Sequence, residues 1–231
     1  MKTGKASSST EKKKILIVDD HPLLRVGLGR VIDQQKDMTV CGEAEDAPGG
    51  LAAVEKYEPD VVIVDISLEF GTGLDLIRDI RAHYPEIAVL ALSVHHENLY
   101  AKRAIRAGAK GYVMKREPVD NVLAALRKVL QGHIAVSENV IDRIFAQGGS
   151  EKTEAKTGKG HIPVEELSNR ELEVFRLLGD GLGTREIASR LGVAISTVET
   201  YRAGIKKKLG LANNSEVLCQ AARFAANESV D

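Results

Sequence analysis

The 231-residue chain has no tryptophan, only four phenylalanines and five tyrosines, and just two cysteines. Cys41 and Cys219 stand far apart, which excludes a disulfide-stapled secreted scaffold and fits a reducing compartment. No apolar run approaches the roughly 20 residues of a helical membrane span. Residues 1–13 are rich in Lys, Ser and Thr and lack the apolar core of a secretory signal, so they are expected to be a disordered tail. Excess charge is missing too. Thirty-two basic residues face 33 acidic ones, for a net charge of −1, so the chain as a whole is no polycation. What is present, 43% hydrophobic and 28% charged residues, suits packed domains and argues against wholesale disorder. The expectation is a cytoplasmic protein with no membrane partner, long enough for one large domain or two small ones.

One segment breaks the texture. Gln147 to Gly160 carries no large apolar side chain, several glycines and alternating charge, and so predicts a mobile linker. Before it, apolar runs at Lys14–Val18, Met38–Ala44, Val61–Val64, Ala88–Leu92 and Gly111–Met114 alternate with stretches of 3.6-residue period at Leu23–Asp33, Gly50–Tyr57, Leu74–His83, Asn98–Ala107 and Val119–Gln131. Nearly unbroken apolar, β-branched runs are how strands covered on both faces read. Strand–helix alternation then predicts an α/β fold, a doubly wound five-stranded parallel sheet with right-handed crossovers.

In such a sheet the site lies beyond the carboxyl ends of the strands. There the sequence has Asp19 and Asp20 after the first run, Asp65 after the third, Ser93 after the fourth and Lys115 after the fifth. Each alone has an ordinary explanation: Asp favours turns, Ser caps helices, and Lys is commonly solvated. Together they place three mutually repelling carboxylates, a hydroxyl and an ammonium on one edge. An all-oxygen, acidic pocket suits Mg²⁺ or a similar hard cation. With that charge neutralised, Asp65 can act as nucleophile toward a phosphoryl group.

Residues 14–131 resemble a bacterial response-regulator receiver domain, through Ile17-Val18-Asp19-Asp20-His21-Pro22, Val64-Asp65, Ser93 and Gly108 to Lys115 in order and spacing. The resemblance implies that Asp19 and Asp20 form a Mg²⁺ pocket with Asp65 and the backbone carbonyl of Ser67. It makes Asp65 the phosphoacceptor, Ser93 the switch hydroxyl, Tyr112 the rotating aromatic and Lys115 the phosphoryl-binding ammonium. The chain departs from the family at Leu68-Glu69, where Met-Pro is common, and carries Pro118 one place later than usual.

From Pro163 onward the pattern is helical throughout. Ser168 and Glu171 form a capping-box pair, Thr184 is the expected cap of a second helix ended by Gly192, a third contains Thr197–Leu209 and stops at Gly210, and Val217–Ala226 forms a fourth. Two short helices joined at a glycine predict a helix-turn-helix. Between residues 185 and 208 six basic residues outnumber two acids, a local positive face of the kind phosphate contact requires. Leu167, Arg170-Glu171, Gly181, Glu186-Ile187-Ala188, Leu191-Gly192, Thr197-Val198 and Lys208-Leu209-Gly210 resemble the LuxR/NarL-type DNA-binding domain. The resemblance implies base-facing places at Glu199, Thr200 and Ala203, with Arg202, Lys206 and Lys207 positioned for phosphates. Glu199 has two readings: acceptor from a cytosine amino group, or partner of Ser196 in a Ser-x-x-Glu capping box.

The divisions expected are a tail at 1–13, a receiver at 14–131, a connecting helix and linker at 132–163, and a four-helix DNA-binding domain at 164–231. The chain is thereby identified as a two-component response regulator of the LuxR/NarL (FixJ-like) family, a transcription factor and not an enzyme. A sensor histidine kinase is its expected phosphoryl donor and double-stranded DNA its target, bound as a homodimer. Val217, Leu218 and Ala221 suit either subunit pairing or packing within the domain. The rivals are a regulator that ignores phosphorylation and an aspartate-nucleophile phosphohydrolase, the latter disfavoured because Ser67 stands where a second acid is wanted.

Overall fold

The structure is a computed structural model that describes residues 12–68, 71–94, 97–137, 140 and 163–230. The first domain alternates β1 (Lys13–Val18), α1 (Pro22–Asp33), β2 (Met38–Ala44), α2 (Ala47–Tyr57), β3 (Val61–Asp65), α3 (Gly73–His83), β4 (Ala88–Ser93), α4 (Glu97–Ala107), β5 (Gly111–Met114) and α5 (Val119–Leu130). The strands are all parallel, in the order β2-β1-β3-β4-β5. The apolar runs are continuous because both faces of the sheet are covered. Along β1, Ile15 and Ile17 pack with α1 and α5, whereas Leu16 and Val18 pack with α2, α3 and α4. Order reverses between β1 and β3, so the strand ends there open a crevice at the switch point.

Chain packed against this domain continues past residue 131. Ala135 donates its N–H to Lys110 O at 2.8 Å and accepts from Tyr112 N at 2.9 Å, extending the sheet edge beside β5. Gly111 permits this approach, since a β-carbon there would meet Ala135 O at 2.8 Å. The expected tail up to residue 11 and the linker from Gln147 to Gly160 lie outside the described residues.

Among the described residues the second domain has a single 3₁₀ turn (Val164–Glu166) and four helices, α6 (Asn169–Gly179), α7 (Thr184–Leu191), α8 (Ile195–Lys208) and α9 (Asn214–Val230). Ser168 and Glu171 cap each other as expected, with Glu171 Oε2 accepting from Ser168 N at 2.7 Å. Two capping expectations are corrected. Gly183, not Thr184, is the N-cap of α7, and Glu186 supplies the oxygen that its N–H needs. Helix α8 begins at Ile195 behind Ala194, so Ser196 lies inside the helix and forms no box with Glu199. Leu172, Phe175, Ile187, Val198, Ile205, Val217 and Ala221 close the core; Val217 and Ala221 therefore pack within the domain, while Leu218 stays exposed.

Specific contacts join the two domains. Arg103 on α4 donates to Asn169 Oδ1 at 3.0 Å, Val164 O at 3.1 Å and Glu165 O at 3.3 Å. Arg170 Nε lies 2.9 Å from Asp75 Oδ2 on α3. Arg103 thus occupies carbonyls of a turn that ends two residues before the Ser168 cap, a placement far apart in sequence.

Candidate functional site

The crevice gathers the residues singled out at the strand ends. Lys115 Nζ donates to Asp65 Oδ2 at 2.8 Å and lies 2.7 Å from Asp19 Oδ2. Asp19, Asp65 and Ser93 are buried, and Asp20 is half-buried beside them. Each is carried there by backbone pairing. Asp19 N donates to Ala44 O, Ile66 N to Leu92 O, and Lys115 N to Ser93 O at 2.7 Å. These bonds tie the exit of each strand to its neighbour, so the side chains that follow converge.

Asp65 is shaped by its own loop. Ser67 N donates to Asp65 Oδ1 at 3.1 Å, and Gly73 N to Ile66 O at 3.1 Å. At Gly73 a β-carbon would sit 1.9 Å from Asp65 O, so only glycine lets α3 start this close to the acid. Leu68, where Met is common in the resembled family, is buried in the core; Glu69 lies outside the described residues.

Burial raises the Asp65 pKa above its ordinary value; Lys115 opposes the shift and Asp19 adds to it by repulsion. Burial works to lower the Lys115 pKa, yet Asp65 and Asp19 outweigh it and the net direction is upward. The cluster is therefore two buried carboxylates around one ammonium, with Asp20 adding further negative charge. Asp19 Oδ2 and Asp20 Oδ1 are buried acidic oxygens, facing Lys115 Nζ at 2.7 Å and His21 Nδ1 at 2.6 Å respectively. Oxygens in that condition fit a divalent cation.

In the sequence His21 stands out only as part of a motif. Its imidazole Nδ1 lies 2.6 Å from Asp20 Oδ1, and ligand atoms of Asp19, Asp20, His21 and Asp65 all fall within 4.8 Å of one another. Its place directly after an acid pair at a strand end was the available signal. Tyr112 is buried on β5, paired with Ala91 and two register positions before Met114 at the Ser93 level.

On the second domain, Glu199, Thr200, Ala203 and Lys207 are exposed along α8, and Lys206 is half-buried. Arg202 is held within the domain: its NH1 donates to Thr184 Oγ1 at 2.7 Å and lies 3.3 Å from Glu199 Oε1. Arg202 therefore locks α7 against α8 and leans on the acid that flanks it. Thr200 Oγ1 bonds back to Ser196 O at 3.0 Å.

Comparison with known proteins finds a family for each domain. Residues 15–127 match the response regulator receiver domain, and residues 165–221 match the bacterial regulatory proteins of the luxR family. The chain is 31% identical over 219 residues to the transcriptional regulatory protein DegU of Brevibacillus brevis, covering 91% of this chain and 93% of that one. It is 34% identical over 206 residues to the oxygen regulatory protein NreC of Staphylococcus aureus, covering 89% and 94%. Among solved structures, RcsB from Salmonella enterica serovar Typhimurium, bound to promoter rprA in the presence of phosphomimetic BeF3-, superposes with a TM-score of 0.65 at 25% identity, covering 91% of this chain and 98% of that one.

Proposed function

The chain belongs to the LuxR family of two-component response regulators and is a transcription factor, and from that membership we propose that Asp65 is the residue through which it is switched. A carboxylate oxygen of Asp65 attacks the phosphorus of a phosphohistidine on a sensor kinase; the P–N bond breaks, the imidazole leaves, and an aspartyl phosphate remains. The observation that carries this reading is the Lys115 ammonium, bonded to Asp65 and Asp19 at the one buried corner where the acids meet. Lys115 is placed to pair with the incoming phosphoryl oxygens. Asp19, Asp20, Asp65 and the Ser67 carbonyl would hold Mg²⁺, which would supply charge neutralisation. Ser93, buried at the end of β4, then gives its hydroxyl to a phosphoryl oxygen, and Tyr112 follows that movement on β5.

Binding to DNA is assigned to α8. Glu199, Thr200 and Ala203 face the bases, and Lys206 and Lys207 contact phosphates. Arg202, anchored to Thr184 and Glu199, acts chiefly by orienting Glu199. A homodimer on a two-fold operator and a cytoplasmic location complete the reading.

The test is intact-mass measurement after incubation of the full chain with acetyl phosphate and Mg²⁺. Wild type should gain one phosphoryl group and Asp65→Asn none. Absence of the adduct on wild type would defeat the phosphoryl switch and favour a regulator that acts without it, whereas sustained turnover of a phosphate ester would favour a hydrolase. For α8, Glu199→Ala should change which sequences are selected from a random pool. Uniform weakening across all sequences would remove the base-reading role.

A further inference from the structure

His21 stands where α1 begins, as its N-cap, yet its side chain caps nothing. Its backbone is extended (φ −95°, ψ 102°), the conformation that a following proline enforces, and Pro22 opens the helix. Its own N–H donates to Asp19 Oδ1 at 2.8 Å, which folds the residue back over the acid pair. The imidazole therefore hangs at the mouth of the pocket. Nδ1 is 2.6 Å from Asp20 Oδ1, 3.1 Å from Asp19 Oδ1 and 3.4 Å from Lys115 Nζ. The ring is more than half exposed, so it can be replaced without opening the core.

These contacts join a nitrogen donor to an otherwise all-oxygen set, and the four ligand atoms are close enough to surround one ion. Oxygen-only sites favour Mg²⁺, while imidazole strengthens binding of first-row transition ions, which accept nitrogen readily. We propose that His21 is a specificity-determining ligand of the acidic pocket, tilting its choice of divalent cation away from Mg²⁺ and toward first-row ions that accept nitrogen as well as oxygen, with Mn²⁺, the one nearest Mg²⁺ in its liking for oxygen, as the paramagnetic probe. The inference rests on the reading of the pocket as a cation site. The simpler role for His21 is to hydrogen-bond Asp20 and hold that carboxylate in place, which would act on every cation alike.

The experiment uses the full, tag-free chain as wild type, His21→Ala and His21→Asn; the asparagine keeps hydrogen-bonding capacity but removes the imidazole. Mn²⁺ and Mg²⁺ affinities are measured by calorimetry, and the environment of bound Mn²⁺ by pulsed electron paramagnetic resonance. Wild type should show nitrogen coupling to Mn²⁺ that both variants lose. Both variants should bind Mn²⁺ about tenfold more weakly, the low end of what losing a supporting group does at a metal site, with Mg²⁺ affinity little changed. Equal losses for both ions, rescued by asparagine and without nitrogen coupling in wild type, would overturn the ligand role and leave His21 as a positioning residue. If wild type binds neither ion, it is the cation-site reading itself that falls. If wild type binds both ions and the Mn²⁺ to Mg²⁺ ratio is the same in all three proteins, that reading stands and this inference fails.

Discussion

Replacing Lys115 with methionine tests the electrostatics of the crevice directly. The ammonium is 2.8 Å from Asp65 Oδ2 and 2.7 Å from Asp19 Oδ2, and its side chain is only 9% exposed. Methionine keeps most of the stem but leaves two buried carboxylates facing each other. Removing one partner of a buried ion pair destabilises by about 3–5 kcal/mol; here the low end, about 3 kcal/mol, is expected because a carboxylate can take up a proton. Asp65 already has a raised pKa from burial, and loss of the cation raises it further. The sign follows from linkage. A carboxyl whose folded pKa exceeds its unfolded one favours the folded state at low pH, and that contribution is lost as pH rises through the folded value. Each pH unit is worth up to about 1.4 kcal/mol for one proton, so the deficit should close over about two units of acidification. Urea denaturation followed by far-ultraviolet circular dichroism, at neutral and acidic pH without divalent ions, measures it. A variant as stable as wild type at neutral pH would refute the picture of a charge-strained corner.

Three further outcomes are expected. Gly73→Ala should destabilise the first domain by about 1–3 kcal/mol through overpacking against the Asp65 carbonyl, and should slow phosphoryl uptake from acetyl phosphate; normal stability and uptake together would contradict the close approach. Glu171, whose pKa is lowered by Lys208 and by the Ser168 backbone against the opposing effect of burial, stabilises the second domain above its ordinary value of 4.5 and ceases to as pH falls below it. Glu171→Gln should therefore weaken the domain by about 1 kcal/mol at neutral pH and make no difference in strong acid, as thermal melts at both pH values would show. Lys206→Ala and Lys207→Ala should each lower the slope of log affinity against log salt by about one. An unchanged slope in operator-binding titrations would remove the residue from the phosphate contacts.

The strands of the first domain were readable because helices cover both faces of the sheet, leaving no polar face to interrupt Val61–Val64 or Ala88–Leu92. The crevice was readable for a related reason: parallel strands end on one side, so chain order alone brings Asp19, Asp65, Ser93 and Lys115 together. The Ser196-x-x-Glu199 spacing misled because spacing does not say where a helix starts, and Ala194 takes the cap. Thr184 misled in the same manner, since the glycine before it can adopt the cap backbone with Glu186 supplying the oxygen. The contact of Arg103 with Val164 O and Asn169 spans more than 60 residues, and nothing in local sequence encodes it. His21 was hidden because its importance depends on which way an exposed ring swings.

With Arg103 gripping the entry to α6, Glu199, Thr200, Ala203 and Lys207 still look outward into solvent. Among the described residues nothing covers these side chains, so the surface proposed to read DNA needs no uncovering by the other half. What the grip does set is the bearing of one half relative to the other. Two such copies would need their α8 helices about 34 Å apart to enter successive major grooves, and a change of bearing at the Arg103 contact would decide whether that span is met.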